Sequence, residues 1–181
     1  KGVVHTHLSA MAYAEMSAEL YDLQASDRMG NQSPLHFDMS TFEYFAGPSR
    51  GACTILIPEA YAKLPASLTQ LMQDERMTTL YTVPFLLIQI LQSGVLDQRD
   101  LSALRWVVHA GEPMSPVHLA ALQRALPGAR FSNSYGPAEV NQVTYFHHPA
   151  GPIAEDGMIP IGYPCSHTQL RIDAAVCGKG E

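Results

Sequence analysis

Two patterns of apolar residues alternate along the chain, one with helical spacing and one typical of buried strands. Residues 8–23 carry apolar or small side chains at helical spacing, which predicts an amphipathic helix. Ser40 is predicted to cap a short helix that reaches Phe45 and ends at Gly47 and Pro48. Further helices are predicted at 65–75, 84–92 and 116–126, an extended segment at 27–37, and strands at 52–57, 78–83, 104–109, 130–133, 142–146 and 168–173.

This order of elements predicts the fold class. Strands that alternate with helices over short connections are typical of right-handed βαβ units and of a mostly parallel sheet. We therefore predict an α/β protein with a doubly wound lobe over residues 1–149. The segment 150–181 is predicted to hold a loop rich in glycine, proline and acids, followed by the start of a β-rich element.

The composition narrows the classes of partner. The 181 residues are 46% hydrophobic and 15% charged, with a net charge of −6 and no cluster of Lys or Arg. A nucleic-acid partner is not expected, because its footprint would be basic. No apolar run approaches the roughly 18 residues that a membrane span requires, so no membrane is expected. Cys53, Cys165 and Cys177 are interpreted as reduced packing residues of a cytoplasmic protein, and His147 and His148 as solvated.

The loop that follows the strand predicted at 130–133 carries chemistry that a turn does not require. Gly136 and Pro137 mark the turn, and Asn133, Tyr135 and Glu139 add an amide, an aromatic ring and a carboxylate. Loops at the ends of strands bind the ligands of open α/β sheets. A ring, an amide and a carboxylate of the kind that binds magnesium together predict a nucleotide site. An ordinary β-turn with a surface acid remains the alternative from this loop alone.

Four sequence elements occur in an order that resembles a known family. They are Lys1-Gly2, Phe37-Asp38-Met39-Ser40, Ala110-Gly111-Glu112 and the loop from Asn133 to Glu139. The series resembles the adenylate-forming enzymes, most closely the amino-acid adenylation domains of nonribosomal peptide synthesis. The resemblance implies that the α/β lobe is a flavodoxin-like subdomain. Segments 34–38 and 138–141 look more like stand-alone amino-acid:carrier-protein ligases than like modules of giant synthetases.

The resemblance implies ATP and Mg²⁺ as cofactors and assigns two loops to the nucleotide. These are the loop at 111–113 and the loop at 133–139. In the loop at 133–139, Tyr135 is expected to stack on adenine and Asn133 to bond the exocyclic amine of the base. Glu139 is expected to bind magnesium and so to take part in catalysis. Ala138 departs from the family, which usually has threonine there. The nucleotide-binding residues implied are Gly111, Glu112, Pro113, Asn133, Ser134, Tyr135, Gly136 and Ala138.

The resemblance also implies an acyl pocket. Asp38 is expected to pair with the α-ammonium of an amino acid, because a carboxylate in an apolar run is costly without a cationic partner. A helix cap is the alternative for Asp38. His36 is a candidate gate between the two half-reactions, with an ordinary strand histidine as the alternative. The remaining pocket residues implied are Met39, Phe42, Tyr81, Val108, Ala110, Ser134, Gln142 and Val143.

The resulting hypothesis is ATP-dependent activation of an amino acid as its adenylate, followed by transfer to the phosphopantetheine thiol of a peptidyl carrier protein. The alternatives are an aryl- or fatty-acyl-coenzyme A ligase and a non-catalytic nucleotide-binding fragment. The resemblance also implies that the phosphate loop precedes Lys1 and that a ribose-binding aspartate and a catalytic lysine follow Glu181. The chain is therefore expected to be part of a longer polypeptide and to be inactive alone.

Overall fold

The sheet of the protein confirms the predicted class. A computed structural model describes residues 2–149 and 157–172, which contain seven strands in one sheet. The strands are β1 (Arg28–Asn31), β2 (Cys53–Leu56), β3 (Thr79–Thr82), β4 (Trp106–His109), β5 (Arg130–Tyr135), β6 (Thr144–His147) and β7 (Tyr163–Pro164). The spatial order is β2-β1-β3-β4-β5-β6-β7. Strands β1 to β5 are parallel, β6 pairs antiparallel with β5, and β7 pairs antiparallel with β6. The parallel order 2-1-3-4-5 is that of flavodoxin-like doubly wound folds.

Four of the described helices begin within one residue of the predicted starts at 8, 65, 84 and 116, whereas the short helix at Glu59–Ala62 was not predicted. The helices are α1 (His7–Leu20), α2 (Gly47–Ser49), α3 (Glu59–Ala62), α4 (Pro65–Asp74), α5 (Pro84–Gln92) and α6 (Pro116–Ala125), with 3₁₀ turns at Asp38–Ser40 and Leu96–Gln98 and a π turn at Phe42–Ala46. Proline begins α4, α5 and α6, where its missing N–H would have no intrahelical partner. At the start of α1, Thr6 and Ser9 form a reciprocal capping box.

Alternate residues of the central strands point to two separate cores. On one face, Leu80 and Val107 pack with apolar side chains of α4, α5 and α6. On the other face, Tyr81 and Val108 pack with α1 and with the π turn. Because successive side chains of a strand point to opposite faces, this division is the physical basis of the doubly wound arrangement.

Two predicted elements differ from the structure. Helical turns begin at Asp38 and continue through Gly47 and Pro48, so the predicted stop at these residues is wrong. Ser40 does not cap from outside the helix, since its hydroxyl donates to the carbonyl of Phe37 at 2.8 Å. The described part of the predicted strand at 168–173 has no strand conformation.

Two predictions about single side chains also need correction. Cys53 is exposed, so it is not a packing residue, whereas Cys165 is buried as predicted. His148 is buried rather than solvated, and His147 is partly buried. Cys177 lies outside the described residues. The division at residue 149 stays a prediction.

Candidate active site

The two loops predicted to bind a nucleotide leave the same edge of the sheet. Strands β4 and β5 run parallel, with Val108 opposite Ser132 and His109 opposite Asn133. The segment after β4, which begins at Ala110, therefore lies beside the last two residues of β5, Ser134 and Tyr135, and the loop that follows them. Tyr135 is 51% exposed there, which leaves a ring face available for a planar ligand.

Gly111 occupies a backbone conformation that explains why glycine stands there. Its φ is +85°, in the left-handed region that other residues rarely adopt. An added Cβ would meet Val83 only at 3.7 Å, so the backbone angle and not crowding within the chain requires glycine. The next residue, Glu112, accepts a hydrogen bond from the backbone N–H of Phe85 at 3.2 Å, in the first turn of α5. This bond joins the Gly111 loop to a helix whose N-terminus favours negative charge. Pro113 is exposed in the same loop.

The loop after β5 folds back tightly on itself. A Cβ on Gly136 would lie 2.2 Å from the carbonyl oxygen of Asn141, so no larger residue fits without a shift of the backbone. The N–H groups of Val140 and Asn141 both donate to the carbonyl of Pro137, at 3.0 and 2.9 Å. The turn presents Ala138 and Glu139 to solvent.

Asn133 lies within β5, two residues before the end of the strand, and is only partly exposed. Its side-chain nitrogen donates to the carbonyl of Pro160 at 2.9 Å. The amide thus joins β5 to the described segment that follows residue 156. Its predicted bond to adenine stays a prediction.

A cavity of about 550 Å³ brings Asp38, His36 and Glu139 together. It is lined on one side by the 35–41 segment and on the other by the 138–141 segment, with α1 residues such as Tyr13 completing the wall. Asp38 is partly buried, and its Oδ1 accepts the N–H of Met39 at 2.9 Å. Among the described residues no Lys, Arg or His lies within ion-pair distance of its carboxylate. A cationic group that enters this cavity would therefore find a carboxylate with no protein counter-ion.

The other predicted acyl-pocket residues do not line this cavity. Five of them, Met39, Phe42, Tyr81, Val108 and Ala110, lie in or against the core between α1, the π turn and the sheet. Tyr81 donates to Ser134 Oγ at 3.2 Å. Gln142 donates to the hydroxyl of Tyr21 at 3.3 Å. The residues in question are Met39, Phe42, Tyr81, Val108, Ala110, Ser134, Gln142 and Val143. Their assignment as pocket lining stays a prediction.

Tyr21 is a central residue of this region that the sequence pattern did not single out. Its ring is fully buried, edge-on to Phe42 and to Trp106, with both centroid separations at 5.3 Å. Burial raises the pKa of Tyr21 to about 12, while a hydrogen bond from Gln142 opposes the shift. The tyrosine therefore stays a neutral hydrogen-bonding group next to the predicted acyl pocket. The only indication in the sequence was that Tyr21 lies in the last turn of the helix predicted at 8–23.

Two buried histidines lie at strand ends, His109 as the last residue of β4 and His148 directly after β6. The Nε2 atoms of His109 and His148 are 3.1 Å apart. Burial lowers the pKa of His109 to about 3 and that of His148 to about 4, and a neighbouring histidine adds to each shift. One ring then donates and the other accepts, which requires the accepting ring to be neutral, and the lowered pKa values favour the neutral form of both rings.

Glu43 is a second buried group that sequence patterns did not reveal. It lies in the π turn, 1% exposed, and burial raises the pKa of its carboxyl well above the ordinary value. The side-chain amide of Asn31 donates to its carboxyl group at 3.5 Å. A carboxyl in this setting is favoured in its protonated form.

Glu139 fits a magnesium ligand only in cooperation with other oxygens. No group of three or more His, Cys, Asp and Glu residues within 2–149 and 157–172 could hold a metal ion by itself. The exposed carboxylate of Glu139 is nevertheless a hard oxygen donor, and Mg²⁺ usually keeps water and substrate phosphates as its remaining ligands.

None of the described helices combines the length and apolar character needed to cross a membrane.

Comparisons with known proteins agree with this arrangement. A family model described as AMP-binding enzyme matches residues 1–179. The L-proline--[L-prolyl-carrier protein] ligase of Pseudomonas fluorescens is 33% identical, over the whole chain and 37% of that protein. The ligase of the same name from Streptomyces coelicolor is 31% identical, over 91% of the chain and 31% of that protein. The chain thus spans about a third of the length of these relatives.

Solved structures show the same fold. The nonribosomal peptide synthetase FmoA3 superposes with a TM-score of 0.82 at 27% identity, over 91% of this chain and 18% of that one. The adenylation domain AlmE of Vibrio cholerae, in complex with glycyl-adenosine-5'-phosphate, gives a TM-score of 0.74 at 29% identity. That match covers 86% of this chain and 29% of AlmE.

Proposed function

The chain belongs to the AMP-binding enzymes, and from that premise we propose that it activates an amino acid with ATP and passes it to a carrier protein. The substrate carboxylate attacks the α-phosphorus of ATP, an acyl–oxygen–phosphorus bond forms, and pyrophosphate leaves. The phosphopantetheine thiol of the carrier protein then attacks the acyl carbon and releases AMP. The similar ligases and synthetases support this class of reaction.

The observation that carries the proposal is the position of Asp38. Its carboxylate lines the cavity, and no cation of the described chain balances it. An α-ammonium group is a cation of suitable size, and its charge-assisted bond to a carboxylate would hold the substrate by one end. The free carboxylate of the amino acid would then be oriented within the same cavity, which Glu139 also lines.

The nucleotide half of the site follows from the edge formed by β4 and β5. Tyr135 offers a ring face, and Gly111 leaves the neighbouring loop without a side chain. We propose that adenine lies between them. Magnesium, held by Glu139 and phosphate oxygens, would neutralise charge on the phosphates. Holding the reactants in line and neutralising charge are the main contributions of a protein to such a transfer.

We propose a neutral amino acid of small to medium size as the substrate. Apart from Ser134 and Gln142, the residues assigned to the acyl pocket are apolar or engaged with one another, as Tyr81 is with Ser134. They carry no charge that would pair with a charged side chain. Proline and glycine, which occur in the names of similar proteins, fall within this range. We also propose that the longer polypeptide is needed for turnover, because the 181 residues span only about a third of the ligases.

The test is pyrophosphate exchange by the full-length enzyme with a panel of amino acids and their des-amino analogues. Asp38→Ala should lower kcat/KM for the preferred amino acid at least tenfold, since truncating one partner of a buried charge pair costs about 2–5 kcal/mol. The des-amino analogue should lose far less. Asp97→Asn, an exposed aspartate in a 3₁₀ turn, is the matched control and should behave as wild type.

Two results would overturn the proposal. If aryl or fatty acids outperform every amino acid, Asp38 serves only as a cap and the coenzyme A ligase alternative is correct. If the full-length enzyme exchanges pyrophosphate with no carboxylic acid at all, the non-catalytic alternative is correct.

A further inference from the structure

Hydrogen bonds join the two sides of the cavity through one residue. Asn141 follows the Glu139 turn, and its side-chain nitrogen donates to the carbonyl oxygen of Asp38 at 3.1 Å. The same nitrogen donates to Oγ1 of Thr41 at 2.6 Å, across 100 residues of sequence. Thr41 in turn donates its hydroxyl hydrogen to the Asp38 carbonyl at 2.5 Å. We call this closed set of three hydrogen bonds the Asn141 bridge.

The backbone around Asn141 is shaped to make this bridge. Its φ of +64° lies in the left-handed region, which asparagine tolerates better than most residues. The carbonyl of Asn141 packs on Gly136, where no side chain would fit. The reversal of the loop therefore directs the amide of Asn141 away from the turn and toward the Asp38 segment. An amide supplies two N–H donors, and the two acceptors on that segment match this number.

The bridge acts on the part of the chain that aims the Asp38 carboxylate. The carboxylate of Asp38 accepts a hydrogen bond from the N–H of Met39. The backbone carbonyl of Asp38 accepts hydrogen bonds from Asn141 and Thr41. Both polar groups of the peptide bond between Asp38 and Met39, the C=O and the N–H, are thus held by hydrogen bonds. On the other side, the bridge is only two residues from Glu139. A displacement of one segment must therefore be transmitted to the other or break the bridge.

We infer that Asn141 is a positioning residue that couples the amino-acid side of the site to the nucleotide side. This inference rests on the proposed function, because it takes Asp38 as the ammonium ligand and the 133–139 loop as the nucleotide loop. With the bridge intact, a nucleotide that orders the Glu139 turn also orders the Asp38 turn, so each ligand favours the binding of the other. Such coupling is reciprocal by thermodynamic necessity.

The experiment measures the dissociation constant of the preferred amino acid by calorimetry, with and without a saturating non-hydrolysable ATP analogue. The ratio of the two constants in the full-length enzyme is the coupling factor. Asn141→Gly keeps the left-handed backbone but removes the amide, and Asn141→Asp keeps the shape but replaces the donor by an acceptor. Both variants should reduce the coupling factor at least fivefold and lower kcat/KM for pyrophosphate exchange about tenfold.

Variants of Thr41 provide the matched controls. Thr41→Ser keeps the hydroxyl and should retain the coupling factor of the wild type. Thr41→Val removes the hydroxyl and should lower the coupling factor, and Asn141→Gly should then have a smaller additional effect in the Thr41→Val background. A merely structural role would lower the midpoint of thermal unfolding in these variants without changing the ratio of dissociation constants.

The outcomes separate this inference from the proposed function. A wild-type coupling factor of about one, or an unchanged factor in Asn141→Gly, overturns the inference and leaves the proposed function standing. If no amino acid binds, the proposed function fails, and the coupling of amino acid to nucleotide fails with it. Hydrogen exchange of segment 136–143 then tests the bridge alone: faster exchange in Asn141→Gly, but not in Thr41→Ser, supports it as a structural connection.

Discussion

Tyr135 shows how a single side chain can serve a ligand rather than the fold. Its ring is half exposed at the end of β5, while the neighbouring Ser134 is buried and bonded to Tyr81. An exposed aromatic ring contributes little to the core, so its replacement should leave stability nearly unchanged. Any effect on ATP affinity then reports on contact with the nucleotide.

We expect Tyr135→Ala to weaken binding of ATP by about 1–3 kcal/mol, the range for a base stacked on an aromatic side chain. Tyr135→Phe should retain most of the affinity, because the ring face is kept. Tyr61→Ala removes another exposed tyrosine ring, from α3, and serves as the control. Titration of the full-length variants with an ATP analogue is the measurement, and unchanged affinity in Tyr135→Ala would contradict the adenine assignment.

At the scale of elements, the loop between β5 and β6 is built around two unusual backbone positions. Gly136 lies against the carbonyl of Asn141, and Asn141 itself has a positive φ. These two residues reverse the chain so that β6 can return antiparallel to β5, with Tyr135 opposite Thr144. The same reversal places Glu139 at the cavity, so the connection shapes the sheet and the site together.

Gly136→Ala should therefore disturb both the loop and the site. The added methyl group overlaps a backbone oxygen, and we expect a loss of about 2 kcal/mol in unfolding free energy, within the range for steric strain. The KM for ATP should rise as the Glu139 turn is displaced. Gly128→Ala is the control, because its Cβ would meet no atom within 4 Å and its φ is not positive. Equal unfolding midpoints and equal ATP kinetics in the two variants would disprove this account.

At the scale of the whole molecule, the buried histidine pair links folding to pH. The pKa of His109 is lowered to about 3 and that of His148 to about 4, chiefly by burial. Below the ordinary histidine pKa of about 6.5, the unfolded chain binds protons that the folded chain excludes. Stability is therefore fully present above about pH 6.5 and is lost as the pH falls toward the folded values.

We expect each histidine to remove about 2 kcal/mol of unfolding free energy between about pH 7 and pH 5, since one pKa unit corresponds to about 1.4 kcal/mol. Denaturant unfolding at a series of pH values measures this slope. His148→Gln should flatten the profile, whereas the control His167→Asn, at an exposed position, should keep it. A profile of the same slope in wild type and His148→Gln would rule out the histidine pair as its source.

The amino-acid sequence by itself determined the elements and the motifs, because both depend on residues close together in the chain. Apolar spacing and initial prolines placed α4, α5 and α6 within one or two residues of their observed ends, and strand runs placed β2, β3 and β4. The alternation of these elements determined the doubly wound class. The motif order led to the adenylate-forming family, which the comparisons confirm.

Only the tertiary structure decided which distant residues meet. The burial of His148 against His109 depends on the antiparallel return of β6, which no local pattern reports. No local pattern reports the pairing of β7 with β6 either. The same holds for the absence of a strand in the described part of 168–173. The contact of Asn141 with Asp38 also needs the completed sheet, because its partners lie about a hundred residues apart. Local propensity acts within a few residues, whereas a shared cavity is created only when separate strands end at the same edge.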